Sequence, residues 1–391
     1  MSDYIDSKEA KRILKENRKA IKALEQRRRV EAAQSKPVRM AEPDNILEFD
    51  DLHTWFYTDV GIVKAVDGVS FSIPKGKTVG VVGESGCGKS VTSLSAMRLL
   101  AQPQGQIVSG EIRFALPAPL QPVNIAALSD IEMRRIRGNN IAMIFQDPMT
   151  SLNPVLRIGF QLDEVIKFHK EDLQQKGIVT DFSKEGIRQR SIEMIETVGI
   201  PNAERIYESY PFELSGGMVQ RIMIAMALQA APSLIIADEP TTALDVTIQA
   251  QILDLLRELK SKINASIMLI THDLGVVAEM ADYVVVMYSG RIVEKGRAID
   301  IFKNPAHPYT RGLMKSKPSL VVSTSSTAGK KERLYSIPGR VPNPVAMPDY
   351  CYFRDRCEFA GHECNGEYPV EHALSDTHRV ACYRGHICKK I

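Results

Sequence analysis

Eight consecutive residues, Gly83-Glu84-Ser85-Gly86-Cys87-Gly88-Lys89-Ser90, are the stretch of this chain best equipped for chemistry. They follow an apolar run at 79–82 and precede a helix-compatible segment at 91–100. Strand, glycine-rich loop, Lys-Ser and helix together make a phosphate-binding P-loop. Gly83, Gly86 and Gly88 let backbone N–H groups wrap a phosphate, because a Cβ would block so close an approach. The helix that opens near Lys89 adds its partial positive end to the same pocket. Lys89 is expected to reach the β and γ phosphates of a nucleotide, and the Ser90 hydroxyl to ligate Mg²⁺. Ser85, Cys87 and Val91 complete the expected nucleotide contacts on either side of the glycines.

Further chemistry lies at the ends of apolar runs. Residues 234–237 are continuously apolar, as befits a central parallel strand buried on both faces, and they end in Asp238-Glu239. Ligands of open α/β sheets bind at that C-terminal edge. Asp238 suits a Mg²⁺ ion and its water, and Glu239 suits polarising an attacking water. Residues 266–270 lead to Thr271-His272-Asp273, which puts His272 at a neighbouring strand end as a candidate γ-phosphate sensor. Gln146 follows a strand-like run at 141–145. Leu214-Ser215-Gly216-Gly217-Met218 opens an apolar helix, and Ser-Gly-Gly at a helix start is a second anion site. Upstream, Trp55-Phe56-Tyr57 offers an aromatic face for a purine, or simply core packing.

The elements that must position these groups follow from patterning. Residues 46–73 read as alternating strands with a turn at 59–61, and 110–114 as another strand. A Pro-rich insertion at 115–123 reads as a surface loop. Residues 155–209 change to helical periodicity with many charges, as an inserted helical subdomain would. Residues 283–287 and 292–294 finish the sheet pattern.

The whole chain sets bounds. At 391 residues, 44% hydrophobic and 25% charged, it has room for two or three domains of ordinary globular composition. It shows neither a run of 18 apolar residues nor a signal-peptide core. The net charge of +3 is uneven: residues 8–39 carry twelve Lys/Arg and four Glu, a local +8 that leaves −5 elsewhere. Residues 7–34, free of Gly and Pro, read as a basic helix with a thin apolar stripe, Leu14, Ile21 and Leu24. It suits an arm near anionic headgroups, a ribosome or a partner, and suits better a solvated, partly disordered extension. Of six cysteines, Cys87 sits in the P-loop and five crowd into 351–388. In a signal-less chain that argues for a local metal site over a disulfide scaffold.

In this order, the 83–90 loop, Gln146, 214–218, 235–239, Ala243-Leu244-Asp245 and His272 resemble ABC-transporter nucleotide-binding subunits over about residues 46–315. The resemblance implies that Leu214, Ser215, Gly216 and Gly217 cap the γ phosphate held by the opposite subunit's P-loop. It implies further that Gln146 links Mg²⁺ to the membrane-domain contact. Glu239 would be the catalytic base, His272 the switch histidine, Asp245 part of a loop crossing the dimer interface, and Phe56 the adenine-stacking aromatic. Phe-Gln-Asp-Pro-Met-Thr-Ser-Leu-Asn-Pro at 145–154, with 213–228, 307–314 and 337–344, is similar to the oligopeptide/dipeptide importer subfamily.

Cys351, Cys357, Cys364 and Cys382 resemble the terminal cysteine pattern of those subunits, where a four-iron four-sulfur cluster is found. Four thiolates suit such a cluster or Zn²⁺, and His362, His378 and His386 keep zinc open; Cys388 is a fifth cysteine outside the set. The expected fold is therefore α/β: a RecA-like P-loop ATPase core with an antiparallel β subdomain, an inserted helical subdomain and a small C-terminal Cys-rich metal-binding domain. The expected divisions are 1–45, 46–315 (helical part about 155–214) and 316–391. The tail is expected to be separable from the ATP site. The resemblance implies an ATP- and Mg²⁺-dependent ATPase at the cytoplasmic face of the membrane. Its implied partners are a paralogous ATPase, two permeases and an extracytoplasmic binding protein, with no nucleic acid. Alternatives are a soluble ABC ATPase, or import of nickel chelates or oligosaccharides.

Overall fold

A computed structural model describes residues 7–33, 37–242, 245–316, 335–345 and 347–385. After helix α1 (Ser7–Ala33), two long strands, β1 (Asn45–Thr58) and β2 (Gly61–Pro74), form an antiparallel hairpin. Their tight turn leaves Gly61 in the left-handed region, at φ 139°. Strand β3 (Thr78–Val82), helix α2 (Lys89–Met97), β4 (Gly105–Phe114) and the short β5 (Val123–Asn124) follow. One sheet has the order β2-β1-β4-β5, with Phe49 and Phe71 stacked at 4.6 Å in its core. The 115–123 insertion is exposed at its tip, but Val123 ends it inside the sheet, paired with Phe114.

The chain continues through α3 (Asp130–Ile136), β6 (Ile141–Ile144) and α4 (Pro148–Ser151). Then come α5 (Ile158–Phe168), α6 (Lys170–Gln175), α7 (Lys184–Thr197), α8 (Ala203–Glu208) and α9 (Gly216–Leu228). A buried carboxylate helps hold the helical stretch together: Asp163 accepts from Ser191 at 2.8 Å and from Tyr207 at 2.9 Å. The last elements are β7 (Leu234–Asp238), α10 (Val246–Ile263), β8 (Ser266–Ile270), α11 (Leu274–Met280), β9 (Tyr283–Tyr288), β10 (Arg291–Arg297), α12 (Ala298–Lys303), α13 (Pro308–Lys315), β11 (His372–Ala373) and β12 (Arg379–Val380).

The second sheet has the order β11-β12-β10-β9-β3-β8-β7-β6. From β6 to β9 every neighbouring pair is parallel, and β3, β6, β7 and β8 are buried along their whole length. Burial on both faces is why these strands are uninterrupted apolar runs rather than alternating ones. The parallel arrangement also brings the C-terminal ends of β3, β6, β7 and β8 to one edge, which is where the polar motifs begin. Beyond β9, the antiparallel β10, β12 and β11 join strands of the Cys-rich tail to the same sheet. Among the described residues no helix is long and apolar enough to cross a membrane.

The basic N-terminal stretch corrects one expectation. Residues 7–33 form the expected helix, exposed over most of 7–28, but it is held against the first sheet rather than being a partly disordered arm. Asn17, only 6% exposed, donates Nδ2 to the Thr58 carbonyl at 2.8 Å, and Arg28 donates to the Ile107 carbonyl. The attachment is polar, so the thin apolar stripe did not announce it.

Candidate nucleotide and catalytic site

The P-loop runs between β3 and α2. Gly88 caps α2 at φ 103°, and a Cβ there would stand 2.3 Å from the Ala65 carbonyl oxygen. Gly83, at φ 154°, has the Met287 carbonyl oxygen 2.2 Å from where its Cβ would be. Backbone, not a movable side chain, blocks both positions, so only glycine fits. Gly86 has open space instead, and needs glycine for its φ of 78° alone. Ser85 and Gly86 are exposed at the loop tip, Val91 is half-buried, and Cys87 is buried, with burial pushing its thiol up. Lys89 donates Nζ to the carbonyls of Gly83 at 2.8 Å and Glu84 at 3.0 Å, which keeps its charge over the loop.

Across the strand ends, Ser90 donates its hydroxyl to Asp238 Oδ1 at 3.0 Å. Burial raises the Asp238 carboxyl above the usual range; the Ser90 hydrogen bond opposes that and the neighbouring Glu239 charge adds to it. A buried carboxylate beside a hydroxyl is the oxygen set that a hard cation such as Mg²⁺ takes. The residues present therefore fit the ion, with Gln146 close by.

Glu239 stands one residue beyond β7 in a left-handed conformation, φ 48°, its N–H donating to the Ile270 carbonyl at 2.8 Å. Its carboxylate gathers three side chains. Gln146 Nε2 donates at 3.1 Å, the Thr242 hydroxyl donates at 2.8 Å, and His272 Nδ1 lies 3.3 Å from Oε1. Groups from the ends of β6, β7 and β8 thus meet on one carboxylate next to the Ser90–Asp238 pair. Unusual φ values at such a point fit a constrained functional residue.

The other expected site residues lie elsewhere. Ser215 caps α9, accepting from the Met218 N–H at 3.4 Å, and among the described residues its hydrogen bonds stay within that helix start. Leu214 and Gly217 are half-buried, whereas Ser215 and Gly216 are exposed. Asp245 caps α10 through Ile248 N–H at 2.9 Å; Ala243 and Leu244 lie outside the described residues. Phe56 is half-buried in β1, packed so that a Cβ on Gly105 would meet its ring at 2.9 Å. Beside it, Trp55 carries the Lys64 ammonium 5.2 Å above its ring.

Cys351, Cys357, Cys364 and Cys382 line one pocket, together with His307 and Phe353. That convergence holds, but the expected ligand geometry does not appear: among the described residues no three His, Cys, Asp or Glu side chains are placed to hold a metal ion. The space enclosed is about 10 Å³, the room for a single water or ion. The donor types suit a thiolate metal site. His378 is occupied elsewhere, its Nε2 2.7 Å from the buried Glu294, and Cys388 and His386 lie outside the described residues.

Sequence reasoning missed several positioning residues. Gln220, 2% exposed inside an apolar helix, donates to the Pro240 carbonyl at 2.7 Å and so fixes the loop after Glu239. A lone Gln on an otherwise apolar helix was the available signal. Asp67 is a second omission: it receives Arg291 at 2.7 Å, Tyr352 at 3.2 Å and His53 Nδ1 at 3.0 Å. No local pattern links those positions.

Known proteins share this arrangement. A family described as ABC transporter matches residues 66–242, and one described as oligopeptide/dipeptide transporter, C-terminal region, matches residues 293–364. The oligopeptide transport ATP-binding protein AppD of Bacillus subtilis (strain 168) is 46% identical, over 86% of this chain and 96% of AppD. The dipeptide transport ATP-binding protein DppD of the same organism is 46% identical, over 87% of this chain and 95% of DppD. Among solved structures, a dimeric ATP-binding cassette in a post-hydrolysis state with ADP and Pi is 25% identical, with a TM-score of 0.55 over 64% of this chain and 98% of its own. The two family matches and the identity over most of both chains lead to one assignment: this chain belongs to the ATP-binding ATPase proteins of the ABC-transporter family, in the group that carries the oligopeptide/dipeptide transporter C-terminal region.

Proposed function

We propose that this chain is the ATP-hydrolysing subunit of a peptide importer, bound peripherally at the cytoplasmic face of the membrane. The observation that carries the chemistry is the meeting of Gln146, Thr242 and His272 on the Glu239 carboxylate, beside the Ser90–Asp238 pair. In this reading, the 83–90 loop holds the triphosphate and Phe56 stacks on the base. Ser90, Asp238 and Gln146 would hold Mg²⁺, which when bound would neutralise phosphate charge. Glu239 accepts a proton from the attacking water, and His272 and Gln146 hold its carboxylate in place. The peptide cargo is inferred from the match to the oligopeptide/dipeptide transporter C-terminal region and from the relatives being oligopeptide and dipeptide transport proteins.

Leu214, Ser215, Gly216 and Gly217 are proposed to serve a nucleotide on a partner ATPase, with Asp245 near the contact. Support comes from the exposure of Ser215 and Gly216 and from Ser215 bonding only within its own helix start among the described residues. The further partners in this reading are a paralogous ATPase, two permeases and an extracytoplasmic binding protein. The divisions 1–45, 46–315 and 316–391 are likewise proposed as the functional units. Cys351, Cys357, Cys364 and Cys382 are proposed as a thiolate metal centre, with the cluster implied by the family resemblance or a smaller Zn²⁺ ion as occupant. Their lining of one pocket supports this.

The deciding experiment is expression with candidate permeases and a binding protein in membrane vesicles. ATP-dependent peptide uptake that vanishes with Glu239→Gln is the expected result. An active ATPase that never associates with permeases would reject the transport reading.

A further inference from the structure

Glu84 makes contacts that phosphate binding alone does not require. Its carboxylate forms a two-point salt bridge with Arg356, Nη1 to Oε2 at 2.6 Å and Nη2 to Oε1 at 2.9 Å. Its backbone N–H donates to the Tyr309 hydroxyl at 2.8 Å, and its carbonyl accepts from Lys89 at 3.0 Å. A single P-loop residue is therefore gripped through side chain, amide and carbonyl.

The holds on the side chain and the amide come from the C-terminal region. Arg356 immediately precedes Cys357 and lies 272 positions from Glu84 in the chain, yet its side chain is only 6% exposed. Its Nε donates to the Pro338 carbonyl at 2.9 Å, and Nη1 reaches the Tyr288 hydroxyl at 3.3 Å. The rings of Tyr288 and Phe353 lie 5.7 and 5.9 Å from its guanidinium. Gly339, left-handed at φ 78°, passes so close that a Cβ would sit 3.1 Å from Arg356 Cγ. Tyr309 is wholly buried, with its ring 4.7 Å from that of Tyr288. The guanidinium fork is thus pre-oriented by packing, as two-point recognition of a carboxylate demands.

Two physical consequences follow. An unpaired Glu84 carboxylate would set a negative charge on a loop that must receive a polyanion, and like charges at short range oppose binding. The Glu84 peptide also supplies one of the carbonyls that hold Lys89, so a shift of Glu84 moves the lysine. We propose that Arg356, assisted by Tyr309, is a positioning residue of the ATP site. It neutralises Glu84 and sets the P-loop backbone, so that folding of the cysteine-bearing turn is read directly at the nucleotide. The tail is then part of the ATP site rather than a separable appendage. This rests on the 83–90 loop binding ATP, which Lys89→Ala tests on its own.

The test uses the full chain and a fluorescent ATP analogue, with thermal melts as the check on folding. Arg356→Ala is expected to weaken nucleotide binding about tenfold, within the ordinary range of coupling between sites. KM for ATP should rise while kcat moves far less. Adding Glu84→Gln to Arg356→Ala should recover about threefold of that loss, because the uncompensated charge is gone. A purely structural role for Arg356 would give no such recovery. Arg356→Lys keeps the charge and loses the fork; it should fall between the wild type and Arg356→Ala, and it replaces Arg356→Ala if that variant does not fold. Wild-type affinity in a folded Arg356 variant, or a double variant no better than Arg356→Ala, overturns the proposal.

Discussion

The Ser90 hydroxyl donates to Asp238 Oδ1 at 3.0 Å, joining the first turn of α2 to the end of β7 although 148 positions separate them in the chain. The pair presents a hydroxyl and a carboxylate where a hard cation would sit against the triphosphate. Asp238→Asn keeps the shape and removes the charge. ATPase activity of that variant should need at least about tenfold more Mg²⁺ for half-saturation. An unchanged Mg²⁺ requirement would take Asp238 out of the ion's coordination.

Glu239→Gln should leave nucleotide affinity intact while hydrolysis falls about 10²–10⁴-fold, the usual scale for a lost general base. Lys89→Ala should show the opposite split, losing affinity first. Rapid-quench hydrolysis alongside equilibrium binding separates the two. Near-normal single-turnover hydrolysis in Glu239→Gln would assign the base elsewhere.

His53 lies between two carboxylates, Nδ1 3.0 Å from Asp67 and Nε2 3.2 Å from Asp51. The Asp67 hydrogen bond, against the cost of burial, raises its pKa above the ordinary histidine value. A raised folded-state pKa makes the contribution full below about pH 6.5 and lost as pH climbs through the folded value. His53→Gln should therefore cost about 1 kcal/mol at pH 6 and progressively less toward pH 9. Melting curves of both proteins at three pH values measure the gap. Asp67 works at the other end: despite burial, its bonds to His53 and Arg291 hold its carboxyl far below the usual range, so its contribution fades only in acid. A gap that is constant from pH 6 to 9 would show that His53 does not bind its proton more tightly in the fold.

Anaerobically purified protein should be brown, with about four irons and four sulfides per chain, if the four cysteines hold a cluster. Cys357→Ser should lose the colour and Cys388→Ser should keep it. One zinc in a colourless protein would replace the cluster with an ion. A folded tail without either metal would reject the metal centre.

Much of the site was legible because its geometry is written locally. Glycines at 83, 86 and 88 declare backbone conformations that other residues avoid. Four apolar residues before Asp238-Glu239 declare a strand buried on both faces and ending at the ligand edge. Spacing along one element determines such features, so one-dimensional information suffices. Only the folded chain decided the rest. Glu84 and Arg356 are an unremarkable pair among 50 Lys/Arg and 47 Asp/Glu, and nothing periodic connects positions so far apart. The docking of α1 rests on Asn17 and Arg28 meeting backbone carbonyls, which leaves no apolar stripe to read. β11 and β12 are two residues each, too short for any alternation to show, yet they join the tail to the core sheet. The four cysteines could be expected to gather, but how much space they enclose depends on the packing of Phe353 and His307 around them. Contacts between distant segments are selected by the free energy of the whole packed chain, and local spacing carries no record of them.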